Sequence, residues 1–187
     1  MSEQDFTITR EFAAPRELVF KAWTDCGHFS RWWGPLDFTT SHCAIDARPG
    51  GRWLSAMRSP EGHDFWSSGV FVELDPPARF VIDEGFSDEE GNRLTAQDYG
   101  MTDDMPSEDR VTVTLEERDG RTRMTMRQGI PQDVAERNGA PRGWRETLDK
   151  LASYLAELQR GTDVVHGAAA RRCPAPERRG EGAWRGA

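Results

Sequence analysis

Trp144, Leu148, Leu151, Leu155 and Leu158 fall at four-three-four-three spacing, and this constrains the chain more than any other feature. The spacing predicts one apolar stripe along a helix from about Pro141 to Gln159, and a stripe of that kind has to be covered. What precedes it indicates the cover. Phe6, Ile8 and Arg10 alternate with Thr7, Thr9 and Glu11 in the period-two pattern of a first strand. Strand texture returns over about Thr40 to Asp46, Gly51 to Arg58, Asp64 to Leu74 and Arg79 to Glu84. These runs are separated by Pro49-Gly50-Gly51, Ser59-Pro60-Glu61-Gly62 and Asp75-Pro76-Pro77. Arg110 to Glu117 and Thr122 to Gln128 flank an Asp119-Gly120 turn, a strong hairpin signal. Val111, Val113 and Leu115 share one face there, as do Met124 and Met126.

Between the first strand and the rest lie two short helices. Pro15 sits where a first helical turn tolerates it, and Leu18, Val19, Ala22 and Trp23 form a stripe. Phe29, Trp32 and Trp33 then recur at three and four until Gly34-Pro35 stops the segment. The expectation is an α+β fold in which a curved antiparallel sheet wraps a long C-terminal helix, so that helix stripe and sheet face bury each other.

Four stretches carry a family resemblance: Ile8-Thr9-Arg10-Glu11-Phe12, Ala14-Pro15-Arg16-Glu17-Leu18-Val19-Phe20-Lys21-Ala22-Trp23, Gly69-Val70-Phe71-Val72-Glu73-Leu74-Asp75-Pro76-Pro77 and Gly143-Trp144-Arg145-Glu146-Thr147-Leu148-Asp149-Lys150-Leu151. Together with Trp32-Trp33-Gly34-Pro35 and Arg48-Pro49-Gly50-Gly51-Arg52-Trp53 they resemble the START-like, or SRPBCC, helix-grip superfamily, in its branch of activator-of-heat-shock-protein-ATPase homologues. The resemblance runs from residue 6 to about 160. It implies the Bet v 1-like helix-grip fold and a cavity between the C-terminal helix and the sheet. Since one fold hosts many activities, it does not assign one.

The 187 residues suit a single domain over 1–160, with 161–187 as a disordered tail. That tail carries five Arg, five Gly, Pro174 and Pro176, with little to bury. No run approaches the roughly 18 apolar residues of a membrane span, and Met1 to Phe12 lacks the pattern of a secretory peptide. The expected location is cytoplasmic. Cys26, Cys43 and Cys173 fit neither a disulfide framework nor a zinc site, so reduced thiols are expected. His28, His42 and His63 add no metal-ligand spacing to them, and neither metal nor cofactor is expected.

Ten acids against Arg93 alone lie between Asp83 and Asp109, a window netting −9 in a chain of net charge −8. Such a concentration repels phosphate backbones, which excludes nucleic-acid binding through this face. Residues 85 to 108 read as a solvated connector in preference to a dock for a basic partner.

If the sheet curves, its concave face lines whatever the helix leaves open. The candidate ligand-binding residues are Trp53, Ser55, Met57, Phe71, Val113, Met124, Met126, Trp144 and Leu148, with Trp32 or Trp33 as a lid. Against this stands a solid core, with one of the two adjacent Trp rings buried and the other half-exposed. Met adapts to irregular partners, which favours a binding space. No catalytic constellation stands out. Asp64, Glu73, Glu84, Ser67-Ser68-Gly69 and Tyr99 are polar points near the interior, each read as a strand-surface residue. The expected function is non-covalent binding of a hydrophobic or aromatic small molecule, by a monomer or homodimer. The alternatives are a co-chaperone and a role in natural-product metabolism, the latter as a polyketide cyclase or dehydratase or by sequestering a reactive metabolite for self-resistance.

Overall fold

A computed structural model describes residues 5–169, with side chains to Gly161. Seven strands form one antiparallel sheet: β1 (Asp5–Phe12), β2 (Thr39–Ile45), β3 (Arg52–Arg58), β4 (Asp64–Asp75), β5 (Arg79–Ser87), β6 (Glu108–Arg118) and β7 (Arg121–Pro131). Their order is β1-β7-β6-β5-β4-β3-β2. β2 to β7 are thus a meander, and β1 closes beside its last strand. Helices α1 (Arg16–Thr24) and α2 (Cys26–Phe29) carry the chain from the β1 edge to the β2 edge. After β7 come α3 (Gln132–Arg137) and the long α4 (Ala140–Ala169).

The strand parity read from sequence decides the core. Val113 stands opposite Met126 and Leu115 opposite Met124, and all four side chains are buried. On α4, Leu148, Leu151 and Leu155 are fully buried against this face, while α1 adds Val19, Phe20, Ala22 and Trp23. In the hairpin between β6 and β7, Asp119 and Gly120 both take positive φ, at 54° and 72°, as a tight two-residue turn matching strand twist requires. Gly51 is fixed differently: a Cβ there would stand 1.9 Å from the Asp46 carbonyl oxygen.

Three expectations need correction. A disulfide joins Cys26 to Cys43, whose Cα atoms are 5.7 Å apart, so these two are not free thiols. Their separation of 17 residues suggests nothing by itself, but α2 docks beside β2 and brings them together. Second, α4 does not stop near Gln159 but continues to Ala169; Gly161, with open space around its Cα, weakens a helix without breaking it. The rest of the expected tail, 170–187, lies outside the described residues. Third, α3 is absent from the sequence reading, because six residues are too few to show periodicity; Val134 and Ala135 bury it. No helix among the described residues is long and apolar enough to cross a membrane.

Candidate functional site

The helix does not fill the sheet. Between the N-terminal half of α4 and β3 to β7 lies a cavity of about 380 Å³, within the roughly 300–1,000 Å³ range of small-molecule sites and towards its lower end. One wall is the segment after α2, with Trp33, Gly34, Pro35 and Phe38. α4 contributes Gly143, Trp144 and Thr147. The sheet provides Met57, Phe65, Trp66 and Ser67 from β3 and β4, then Glu84, Gly85 and Phe86 from β5. Asp109 and Gln128 complete it from β6 and β7.

The fourth wall is the acidic segment between β5 and β6, which is not the free connector expected. Tyr99, Met101, Met105, Pro106 and Ser107 turn inward and cover the cavity. A single 3₁₀ turn over Gln97–Tyr99 places the Tyr99 hydroxyl where it accepts from the Trp66 backbone N–H at 2.8 Å. The same oxygen lies 2.7 Å from the Ser87 carbonyl, to which it can donate. Its ring stacks on Phe86 with centroids 4.9 Å apart. Three of the segment's acids accept hydrogen bonds from neighbouring side chains: Asp88 from Asn92, Asp98 from Thr95 and Asp104 from Arg137.

The opposite wall is held by Lys150. From α4 its Nζ donates to the carbonyls of Gly34 at 3.0 Å, Pro35 at 3.1 Å and Phe38 at 2.7 Å, and burial lowers its pKa against the opposing charge of Asp37. The Cys26–Cys43 bridge closes the same stretch at its two ends. Trp33 is thereby fixed over the cavity, stacked on Phe29 at 4.7 Å and edge-on to Trp53 and Trp144 at 5.8 and 5.6 Å.

Of the candidate ligand-binding residues, Trp33, Met57 and Trp144 line this cavity. Trp53 and Phe71 border a separate gap of about 10 Å³ beneath it, together with Trp23 and Glu84. Val113, Met124 and Met126 are fully buried in the core instead, as the solid-core alternative had it. Leu148 is buried too, and it borders a different hollow, of about 550 Å³, between α4, β1 and α3. Trp32 is no lid: it is wholly buried and its Nε1 donates to the Ala22 carbonyl. Neither Trp ring is half-exposed. Ser55 is fully buried and its Oγ has no partner among the described residues.

The polar points divide. Asp64 pairs with Arg58 on the surface, which holds its pKa down to about 2, and Glu73 pairs with Arg79. Glu84, however, faces inward, directly opposite Asp109 across β5 and β6. Burial, and then the charge of Asp109, push the Glu84 pKa up to about 8, with Arg93 opposing. For Asp109 burial raises it to about 7 against a hydrogen bond from Gln128 and the charge of Arg93. Gln128 in turn accepts from Trp144 Nε1 at 3.2 Å. One carboxylate oxygen of Asp109, Oδ2, is buried without a partner, and so is Trp33 Nε1. The sequence reading missed Asp109 and put Glu84 on the surface. Carrying the alternation two residues beyond Val111 and Ile82 would have turned both inward.

Among solved structures the chain is similar to a protein from Mycobacterium smegmatis, with 28% identity and a TM-score of 0.67 over 83% of this chain and 90% of that one. A protein from Arthrobacter aurescens is 26% identical, with a TM-score of 0.69 over 83% and 87%. The AHSA1 protein from Silicibacter pomeroyi is 26% identical, with a TM-score of 0.65 over 81% and 97%. No curated protein matches. Residues 13–156, which include both helices before β2, the whole cavity and the gripped part of α4, match the family model of Activator of Hsp90 ATPase homolog 1-like proteins, and the chain belongs to that family.

Proposed function

We propose that this protein binds a compact hydrophobic or aromatic small molecule, without covalent chemistry, in the cavity between α4 and the sheet. The observation that carries this reading is a space of about 380 Å³ with seven aromatic and three Met residues in its lining, beside a few polar ones. A concave hollow of that size with a largely apolar lining and a few polar groups has the make-up of a small-molecule site. Trp33, Met57 and Trp144 supply apolar contact, while Ser67, Glu84, Asp109 and Gln128 orient it.

The test uses the environment-sensitive dye N-phenylnaphthylamine with the full-length protein. One dye per chain is expected, with bright emission. Gly143 lines the cavity from α4, and a Cβ there would meet nothing within 4 Å. Gly143→Phe therefore has room for a side chain and suits the helix better than glycine. It should weaken dye binding by at least about tenfold while the melting temperature holds. No dye uptake by the wild type, or equal uptake by Gly143→Phe, would refute the assignment.

A further inference from the structure

We propose that the occupant of this cavity is a compact hydrophobic amine, bound in its protonated form with the ammonium group against Glu84 and Asp109 and its ring against the aromatic wall. This rests on the cavity being a ligand site and adds the charge and chemical class of what enters it.

The lining is unbalanced in charge. Two carboxyl groups face the space, and no Lys, Arg or His side chain is among the described residues that line it. The nearest cation, Arg93, is turned away: its Nη1 donates to the Ser68 carbonyl at 2.9 Å and its Nη2 pairs with Glu108 at 3.1 Å. An anionic ligand would meet only like charge. A neutral hydrocarbon would leave two carboxyls desolvated against it, at a cost of several kcal/mol if either were ionised.

An ammonium group answers the unpartnered atoms one by one. Asp109 Oδ2 is a buried acceptor without a donor, and the Glu84 carboxyl has no hydrogen bond among the described residues. The two stand directly opposite in register, so their Cβ atoms are about 5 Å apart, close enough for one ammonium to donate to both. Trp33, 7% exposed, lines the same space. So do the aromatic residues Phe86, Tyr99 and Trp144, and an aromatic surround suits a desolvated ammonium.

Proton balance follows. In the empty cavity burial keeps protons on the pair near neutrality, so an arriving ammonium displaces a proton to solvent. Amine binding should tighten from pH 6 towards pH 8. Other titratable groups facing the pair are accounted for: Asp83 is held by Arg110 on the outer sheet face, Glu108 by Arg93, and burial raises the pKa of the Tyr99 phenol, which therefore stays neutral.

Three ligands with the same phenyl ring and the same hydroxyl group but different charge provide the test: phenylethanolamine, phenylethylene glycol and mandelate. Each displaces N-phenylnaphthylamine from the full-length protein at pH 8. The amine should bind at least about tenfold more tightly than the glycol, with mandelate weakest. In both Glu84→Gln and Asp109→Asn the ratio of amine to glycol affinity should shrink to about threefold or less, with the dye affinity of each variant measured first. Calorimetry in buffers of different ionisation enthalpy should register proton release on amine binding alone. Dye uptake with the glycol equal to the amine, with mandelate strongest, or with the preference intact in both variants overturns the amine assignment and leaves the cavity reading standing. No dye uptake at all removes both.

Discussion

Replacing Glu84 by glutamine should make the fold more stable at slightly alkaline pH and remove much of its pH dependence. The carboxyl titrates near 4.5 in the unfolded chain and at about 8 in the folded one. Between those values the native state holds a proton that the unfolded state has released, so stability is fully present below about pH 4.5, falls as pH rises through the window, and levels off above about 8. Asp109, from 3.8 to about 7, acts in the same direction; it ionises first, and its charge then helps hold the proton on Glu84. Each pH unit across which one such group is mismatched costs about 1.4 kcal/mol, so the two units from pH 5.5 to 7.5 cost at most about 3 kcal/mol per group. Glu84 keeps part of its surface open to the cavity, and hydration there brings the expected loss to on the order of 2 kcal/mol. Surface carboxylates do not blur this window. Asp64, at about 2, contributes stability that is lost only as pH falls through that value. The assay is urea unfolding followed by Trp fluorescence at fixed ionic strength in steps from pH 5.5 to 8.5. Wild type should lose stability across the range, and Glu84→Gln should match it at pH 5.5 and exceed it by about 1–2 kcal/mol at pH 8. A flat wild-type profile, or a variant running parallel to it, would show that the pair is hydrated rather than enclosed.

Leu151→Ala, at a fully buried point of the α4 stripe, should cost about 2–5 kcal/mol in the same assay, because the gripping sheet cannot collapse around the helix; a loss under about 1 kcal/mol would mean that α4 is not gripped. Reducing the Cys26–Cys43 bridge frees a 17-residue separation in the unfolded chain, so Cys43→Ser should lose about 2–3 kcal/mol. A reducing agent should lower the wild-type melting temperature to that of the variant and leave the variant unchanged; a reducing agent that shifts both equally would contradict this.

Elements long enough to show a period were legible in the sequence. Trp144, Leu148, Leu151 and Leu155 fixed α4 and its buried side; Val111, Val113 and Leu115 fixed β6; the Asp119-Gly120 turn fixed the register to β7. What escaped was decided by contacts across the chain. Val113, Met124 and Met126 lie on the face assigned to them, but whether such a residue touches a ligand or another core side chain depends on how far α4 stands from the sheet, a distance no periodicity encodes. The same holds for Trp32 and Trp33: adjacent in sequence, one donates into the core and the other covers the cavity. Cys26 and Cys43 meet only because α2 packs on β2.

The acidic window shows how one compositional feature acquires two roles through strand parity. Of its ten acids, Glu84 and Asp109 are the two that line the cavity, and Arg110 and Arg93 pair with their neighbours Asp83 and Glu108. Glu84 and Asp109 are each a single residue further along, and because side chains alternate across a strand, that one step turns them inward. The outer acids give a negative field around the segment that closes the cavity, whereas burial raises the pKa of both members of the inner pair and favours their neutral forms until a compensating charge arrives. A negative field at an entrance raises the local concentration of cations and lowers that of anions, an effect that weakens with salt over a screening length of about 10 Å at 0.1 M. Outer field and inner pair therefore select for the same sign of ligand by different means: the first through the rate of encounter, the second through the stability of what has entered.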